Sequence, residues 1–412
     1  WVLYDWANSA YSIIITTAVF PLFYESITPE RIYVATWGFA NSGASLIIAL
    51  LAPVLGTIAD YRGNKKRFFS VFFTIGVAST FALALFEQGE WLPALMVYVA
   101  SAIGFSGANN FYDSFLTDVA EPKRMDWVSA NGFGWGYIGS TIPFVLSLLL
   151  IINSDALGFQ RSTSAVRLAF LLTGLWWAVF TIPILRNVGQ VYYVEPSPTP
   201  IADSFRRLAA TFRNIRQYRQ VFLFLGAYFF YIDGVGTIIK MATPIARSMG
   251  IDSNMLLIIL LAIQVVAFPF AILYGRLAER FSARKMLFVG IGVYVIVVFV
   301  AFLLPTFESL AVRTTLFWAL SMLVASSQGG IQALSRSFYG KLIPPEKSAE
   351  FFGFYNIFGK FAAILGPFLV GGFTLLTGQE RFGVLVILLL FVAGGVLLRL
   401  VKEPERGAPR GR

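Results

Sequence analysis

The chain has no cysteine and no histidine. Without them there can be no disulfide, no thiolate nucleophile and no metal site built on Cys or His. The side chain that usually titrates near neutral pH is missing as well, so any proton chemistry must rest on Asp, Glu, Lys or Tyr. Charge is also scarce: 13% of the 412 residues are charged, against about 25% in an ordinary soluble domain. No glycine-rich loop ending in Lys-Ser/Thr is present, so nothing supports ATP-driven work and no cofactor or metal is expected. No close acidic pair lies in any apolar segment, and an enzyme is therefore not expected. No cleavable signal segment is evident, and the opening on Trp1 rather than Met leads us to expect further residues upstream.

Oil-loving residues fill the space that charge leaves. Hydrophobic residues make up 57% of the sequence, and one membrane-spanning helix takes roughly 20 of them. Apolar segments predict helices at 1–24, 33–59, 68–86, 91–116, 127–152, 165–186, 219–246, 253–278, 286–304, 312–335, 350–376 and 382–401. The expected fold is an all-α membrane protein of twelve transmembrane helices. A net charge of +10 would point to nucleic acid in a soluble protein. Here no nucleic-acid partner is expected. With the N-terminus placed inside, 24 of the 32 Lys and Arg residues fall in cytoplasmic loops or the C-terminal tail, next to anionic lipid. Both termini are thus expected in the cytoplasm, in a multi-pass protein of the bacterial inner membrane.

The polar stretch 188–218 divides the chain. It opens on Pro196, Pro198 and Pro200. Phe205, Leu208, Ala209, Phe212 and Ile215 then recur at helical spacing, with Arg206, Arg207, Arg213 and Arg216 between them. This pattern predicts a short basic amphipathic helix on the cytoplasmic face, either a plain connector or a regulatory element. The expected domains are 1–187 and 219–401, six helices each, joined by the linker 188–218 and followed by a tail, 402–412.

The halves repeat each other. Gly56, Ala59-Asp60 and the basic run to Arg67 recur 219 residues on as Gly275, Ala278-Glu279 and a second basic run. Asn131-Gly132-Phe133-Gly134 returns as Asn356-Ile357-Phe358-Gly359, Pro143-Phe144 as Pro367-Phe368, and Asp5 as Asp233. Matches in three places, the Asn131 and Pro143 pairs counting as one, fall in one order and point to duplication, and parallel repeats of this kind place the solute site where the halves meet.

Polar residues inside the spans mark that site, since a charge at the bilayer centre costs about 2.5–3.5 kcal/mol on insertion scales. The first segment carries Asp5, Asn8, Ser9, Ser12 and Thr16 on one helical face. The fourth carries Asn109, Asn110 and Asp113. The fifth carries Asn131, beside Trp135. The seventh carries Asp233, Thr237 and Lys240, the tenth Gln328 and Gln332, and the eleventh Asn356 and Lys360. Asp233 and Lys360 lie at comparable depth, roughly 21 and 15 Å into their helices, as a charge pair or as the two poles of a site for a zwitterion. Asp5 reads equally as a helix-start carboxylate or as a functional one. Lys240 either snorkels outward or takes part. Substrate contacts are expected from Asp233, Lys360, Asn8, Asn109, Asn110, Gln328, Gln332, Asn356, Asn131 and Trp135, and proton coupling from Asp233, Asp5 and Asp113.

The loop Gly56-Thr57-Ile58-Ala59-Asp60-Tyr61-Arg62-Gly63 resembles the signature between helices two and three of the major facilitator superfamily. The opening Leu3-Tyr4-Asp5-Trp6-Ala7-Asn8-Ser9-Ala10-Tyr11 resembles, more specifically, its vacuole-effluxer-like branch, also called the unknown major facilitator family. So do Asn131 to Gly139 and Gln332-Ala333-Leu334-Ser335-Arg336-Ser337. The resemblance implies two pseudo-symmetric six-helix bundles, a cavity lined by helices one, four, seven and ten, and transport of a small solute, with amino acids carried by the fungal relatives. It also implies gating by Gly56, Asp60, Arg62 and Gly63 and, in the second copy, by Gly275, Glu279 and Arg280, where Glu and Ser282 replace Asp and Gly. The function expected is a secondary active transporter, proton-coupled and monomeric. An uncoupled facilitator or a non-transporting receptor is the alternative.

Overall fold

The computed structural model describes residues 1–156, 162–195, 198–214, 216–248 and 250–403. Pro196, Ile215 and the tail from residue 404 on, all used in the sequence reading, lie outside the described residues. Among the described residues, twelve helices are long and apolar enough to cross a membrane. In order they are Val2–Ile27, Glu30–Ala59, Asn64–Leu85, Trp91–Val119, Met125–Ile152 and Thr163–Asn187, then Arg219–Ala242, Ile258–Arg280, Ala283–Thr306, Leu310–Leu342, Pro345–Thr377 and Arg381–Leu400. They are called here the first to twelfth spans. A further helix, Pro200–Arg213, lies in the linker. Large apolar side chains such as Phe39, Leu50, Phe368 and Leu375 point outward, the reverse of a surface made for water and the expected one for a surface made for lipid.

Several helices outrun their apolar segments. The third starts at Asn64 rather than 68, and the tenth continues to Leu342 rather than 335. Apolar residues mark only the stretch inside hydrocarbon, while helical hydrogen bonding carries on through polar residues beyond it. The first span departs in another way. Residues Ser12–Ala18 form a π-helix between two α-helical stretches, and the Thr17 hydroxyl donates to the Ser12 carbonyl at 2.9 Å. The wider turn breaks the single polar face predicted from Asp5 to Thr16. Asp5 and Asn8 are buried, whereas Ser12 and Thr16 are exposed.

Contacts divide the chain into two compact units. One comprises Trp1–Val119, Trp135–Ala209 and Pro344–Phe354. The other comprises Ala120–Gly134, Ala210–Ile343 and the chain from Tyr355 onward. The fifth span thus changes unit after Gly134, and the eleventh after Phe354. The core of the first unit is aromatic. Trp177, Tyr4, Tyr11, Tyr98 and Phe20 are fully buried or nearly so, and Phe20 stacks on Tyr98 with ring centroids 4.8 Å apart. In the second unit Tyr231, Tyr294 and Phe391 are buried, and Tyr294 stacks on Phe391 at 5.7 Å.

Candidate functional site

In the first unit the loop after the second span holds the start of the eleventh. Gly63 has a φ of +78°, a left-handed turn that glycine adopts without strain. This turn starts the third span at once and leaves Asp60 at the end of the second. The N–H of Ala349 donates to Asp60 Oδ1 at 2.9 Å, and that of Glu350 to Oδ2 at 3.0 Å. Both belong to the first turn of the helix Ser348–Thr377, where unpaired amides and the helix dipole favour an anion. Gly56 allows the approach, because a Cβ there would stand 2.6 Å from the Ala349 carbonyl carbon. Asp60 is fully buried. Burial pushes its carboxyl up to about 7, against the pull of Lys65 and the two amides.

Lys65 completes this clamp. Its Nζ donates to Asp118 Oδ2 at 2.6 Å and to Ser348 Oγ at 2.8 Å, and both members of the Lys65–Asp118 pair are fully buried. The other Asp118 oxygen accepts from the amides of Val191 and Tyr192. Arg62, expected in the gate from the loop signature, is instead exposed and lies over the Tyr193 ring at 5.3 Å. The linker straps across the same loop. Val194 N donates to the Asp60 carbonyl and Arg62 N to the Val194 carbonyl. From the linker helix, Arg207 lies over Tyr61 at 5.3 Å and reaches the buried Glu350 carboxylate at 3.7 Å.

The second unit builds its clamp from other residues. Gly275 is packed tightly, and a Cβ there would lie 2.5 Å from that of Ala130. Glu279 and Arg280, the expected counterparts of Asp60 and its basic neighbours, are exposed. The acid that holds the start of the fifth span is Asp126. It accepts from the Ser337 hydroxyl at 2.6 Å and pairs with Lys341 at 2.5 Å. One turn on, buried Arg336 donates through Nε to Ser129 Oγ at 2.9 Å and through Nη2 to the Ser129 carbonyl at 3.1 Å. It also lies over Phe133 at 4.4 Å. Asp118 and Asp126 fall between the predicted apolar segments 91–116 and 127–152, which say nothing of their contacts. Only the rotation of the helices reveals their partners.

The mid-span polar residues fall into two groups, one in each unit. In the first unit, Asn8 Nδ2 donates to Asn109 Oδ1 at 2.9 Å, joining the first and fourth spans, and the Tyr112 hydroxyl donates to Asp5 Oδ2 at 2.6 Å. Asn110 is buried and Asp113 half-buried on the same fourth span. Trp135 is 42% exposed and its ring lies 6.2 Å from that of Trp6. In the second unit, Asn131 turns back to its own helix and donates to the Trp127 carbonyl. Gln328, Gln332, Asn356 and Lys360 are half-buried, and Lys240 is exposed. Asp233 is fully buried, and neither of its oxygens has a hydrogen-bond partner. The predicted Asp233–Lys360 charge pair is therefore not formed. A wall of stacked rings stands nearby in the same unit, with Tyr228 on Tyr355 at 4.3 Å and Tyr355 beside Tyr339 at 5.1 Å.

Comparison with known proteins bears on what this arrangement belongs to. The family described as "Vacuole effluxer Atg22 like" matches residues 33–126 and 117–410. A Bacillus subtilis (strain 168) relative, named "Uncharacterized MFS-type transporter YxiO", is 54% identical over 98% of this chain and 94% of its own length. Autophagy-related protein 22 of Coccidioides immitis (strain RS) is 25% identical over 88% of this chain and 72% of its own. Among solved structures, the proton:xylose symporter XylE bound to 6-bromo-6-deoxy-D-glucose has a TM-score of 0.72 at 13% identity, over 98% of this chain and 94% of that one. FucP in its outward conformation has a TM-score of 0.70 at 15% identity, over 98% of each chain. At such identities the solved structures establish the twelve-helix fold alone. The Bacillus relative and these two solved structures are named as transporters of the major facilitator type, not as enzymes.

Proposed function

The chain belongs to the vacuole effluxer Atg22-like family of major facilitator transporters, and from that premise we propose that it is a secondary active transporter of a small polar or zwitterionic solute. Amino acids are the first solutes to consider, alternating access the mechanism and a proton the coupling ion. The observation that carries this reading is the set of amide and ionisable side chains buried in mid-span, above all the Asn8–Asn109 bond between two spans and the enclosed carboxylate of Asp233. Such groups are costly in lipid and persist where they serve a pathway.

In this account Lys360 takes an anionic pole of the solute. Asn8, Asn109, Asn110, Gln328, Gln332, Asn356 and Asn131 supply hydrogen bonds, and Trp135 supplies a wall. The proton rests on one of Asp233, Asp5 and Asp113. The Asp60 and Asp126 clamps hold closed the side of the membrane on which they lie, and both must part for that side to open. That side is the cytoplasmic one, where the basic residues gather. The protein works as a monomer in the bacterial inner membrane with both ends inside.

A thermal-shift screen of purified protein against amino acids, peptides, sugars and organic ions tests the solute class. We expect stabilisation by one or more amino acids, and flux of the same compounds in proteoliposomes. Stabilisation by sugars alone, or flux of nothing in the screen, would contradict the reading.

A further inference from the structure

Three buried oxygens on one face of the seventh span have no hydrogen-bond partner: the two carboxylate oxygens of Asp233 and the hydroxyl of Thr237. The residues are one helical turn apart. Asp233 is 0% exposed and Thr237 1%. Gly366 of the eleventh span closes over both. A Cβ at this position would lie 3.0 Å from Asp233 Oδ1 and would collide with the Thr237 hydroxyl. Around them most neighbours are apolar or already paired, and the charge of Lys240 on the same span acts on Asp233 from a distance. Gly234 faces the Phe391 ring of the twelfth span, and the Tyr231 hydroxyl shares a hydrogen bond with Ser335 of the tenth at 2.6 Å. Neither Lys240 nor Lys360 donates to the carboxylate.

A carboxylate sealed from water with no donor is strongly disfavoured while charged. We propose that Asp233, Thr237 and Gly366 form a closed proton-binding site in the contact between the seventh and eleventh spans, and that this site couples transport. One proton adds to one carboxylate oxygen, the group passes from charge −1 to neutral, and the new O–H faces the Thr237 hydroxyl. Sodium fits the place poorly. It would need a fuller shell of oxygens than these three, and Gly366 leaves no space for even a methyl group. The other candidate carboxylates differ in kind. Asp5 already accepts the Tyr112 hydroxyl at 2.6 Å, and Asp113 is half-buried rather than sealed. The coupling role rests on the transporter reading above, whereas proton binding at Asp233 does not.

Infrared difference spectroscopy of purified protein, with pH stepped from 5 to 9 in choline chloride and again in sodium chloride, separates the two and requires no solute. We expect a protonated-carboxyl band in the wild type that Asp233→Asn removes, Thr237→Val shifts, and sodium leaves in place. Gly366→Ala should move the band, because its methyl group displaces the Thr237 hydroxyl. Gly372→Ala, with nothing within 4 Å of its Cβ, should leave the band where it is and serves as the folding control. A wild type without this band, a band that survives Asp233→Asn, or a band that sodium abolishes would each overturn the proposal.

Discussion

Asp60 combines two opposed demands. Two backbone amides and Lys65 favour its charged form, while full burial disfavours it and prevails, raising its carboxyl to about 7. The unfolded chain releases that proton near the ordinary value of 3.8. Between these values the folded protein binds a proton that the unfolded chain does not, so the contribution of Asp60 to stability is greatest at low pH and declines as pH rises toward 7. Melting temperature measured from pH 4.5 to 7.5 should therefore fall more steeply in the wild type than in Asp60→Asn. Parallel curves would contradict this. Gly56 is limiting in a simpler way, since any side chain meets the Ala349 backbone. Gly56→Ala should weaken the clamp by about 1–3 kcal/mol, the usual cost of overpacking a tight contact. The absence of native cysteine makes the effect measurable by labelling a single cysteine introduced beside the clamp, which should react faster in the variant. Lys65 is the most exacting of the three. Taking one partner from a buried ion pair costs about 3–5 kcal/mol, so Lys65→Met should lower the melting temperature strongly, and adding Asp118→Asn should restore part of the loss.

At the scale of elements, the linker is part of the clamp rather than a tether beside it. It pairs with the loop through Val194, and its helix is pinned by Arg207 on Tyr61 and Glu350. Arg207→Ala should raise amide hydrogen exchange across residues 200–209 without disturbing the spans, and unchanged exchange would show that the strap is held by something else. The start of the fifth span offers a paired contrast. Asp126→Asn should loosen it, whereas Glu279→Gln should leave stability unaltered, because Glu279 is exposed and Asp126 holds Lys341 and Ser337.

These elements also indicate what a sequence can convey. Twelve spans were legible because lipid demands an unbroken apolar run of known length. The Gly56–Asp60 loop was legible mostly through its resemblance to the major facilitator signature, in which glycine and an acid stand at this spacing. The π-helical turn at Ser12–Ala18 left no such mark, since the same residues suit an α-helix. Asp126 was hidden for a different reason. The duplicated loop directed attention to Glu279, but which acid meets a helix start depends on helix rotation, and periodicity does not specify that.

At the scale of the whole molecule, the two halves have similar spans and unlike clamps. In one, a loop acid receives the amides of a helix start. In the other, the acid lies on the helix start and receives a hydroxyl and an ammonium group. The two should respond differently to pH and salt. The buried polar residues are divided as well, with a hydrogen-bonded amide pair in one unit and an unpartnered carboxylate in the other. On the function proposed above, the chain carries solute uphill at the expense of a proton gradient. Uptake of radiolabelled amino acids into proteoliposomes, with and without an imposed pH gradient, tests it most directly. Accumulation above the external concentration is expected only when the gradient is present, in one gradient direction for symport and the other for antiport, and is expected to be lost in Asp233→Asn. Equilibration that ignores the gradient, or accumulation that survives Asp233→Asn, would contradict it.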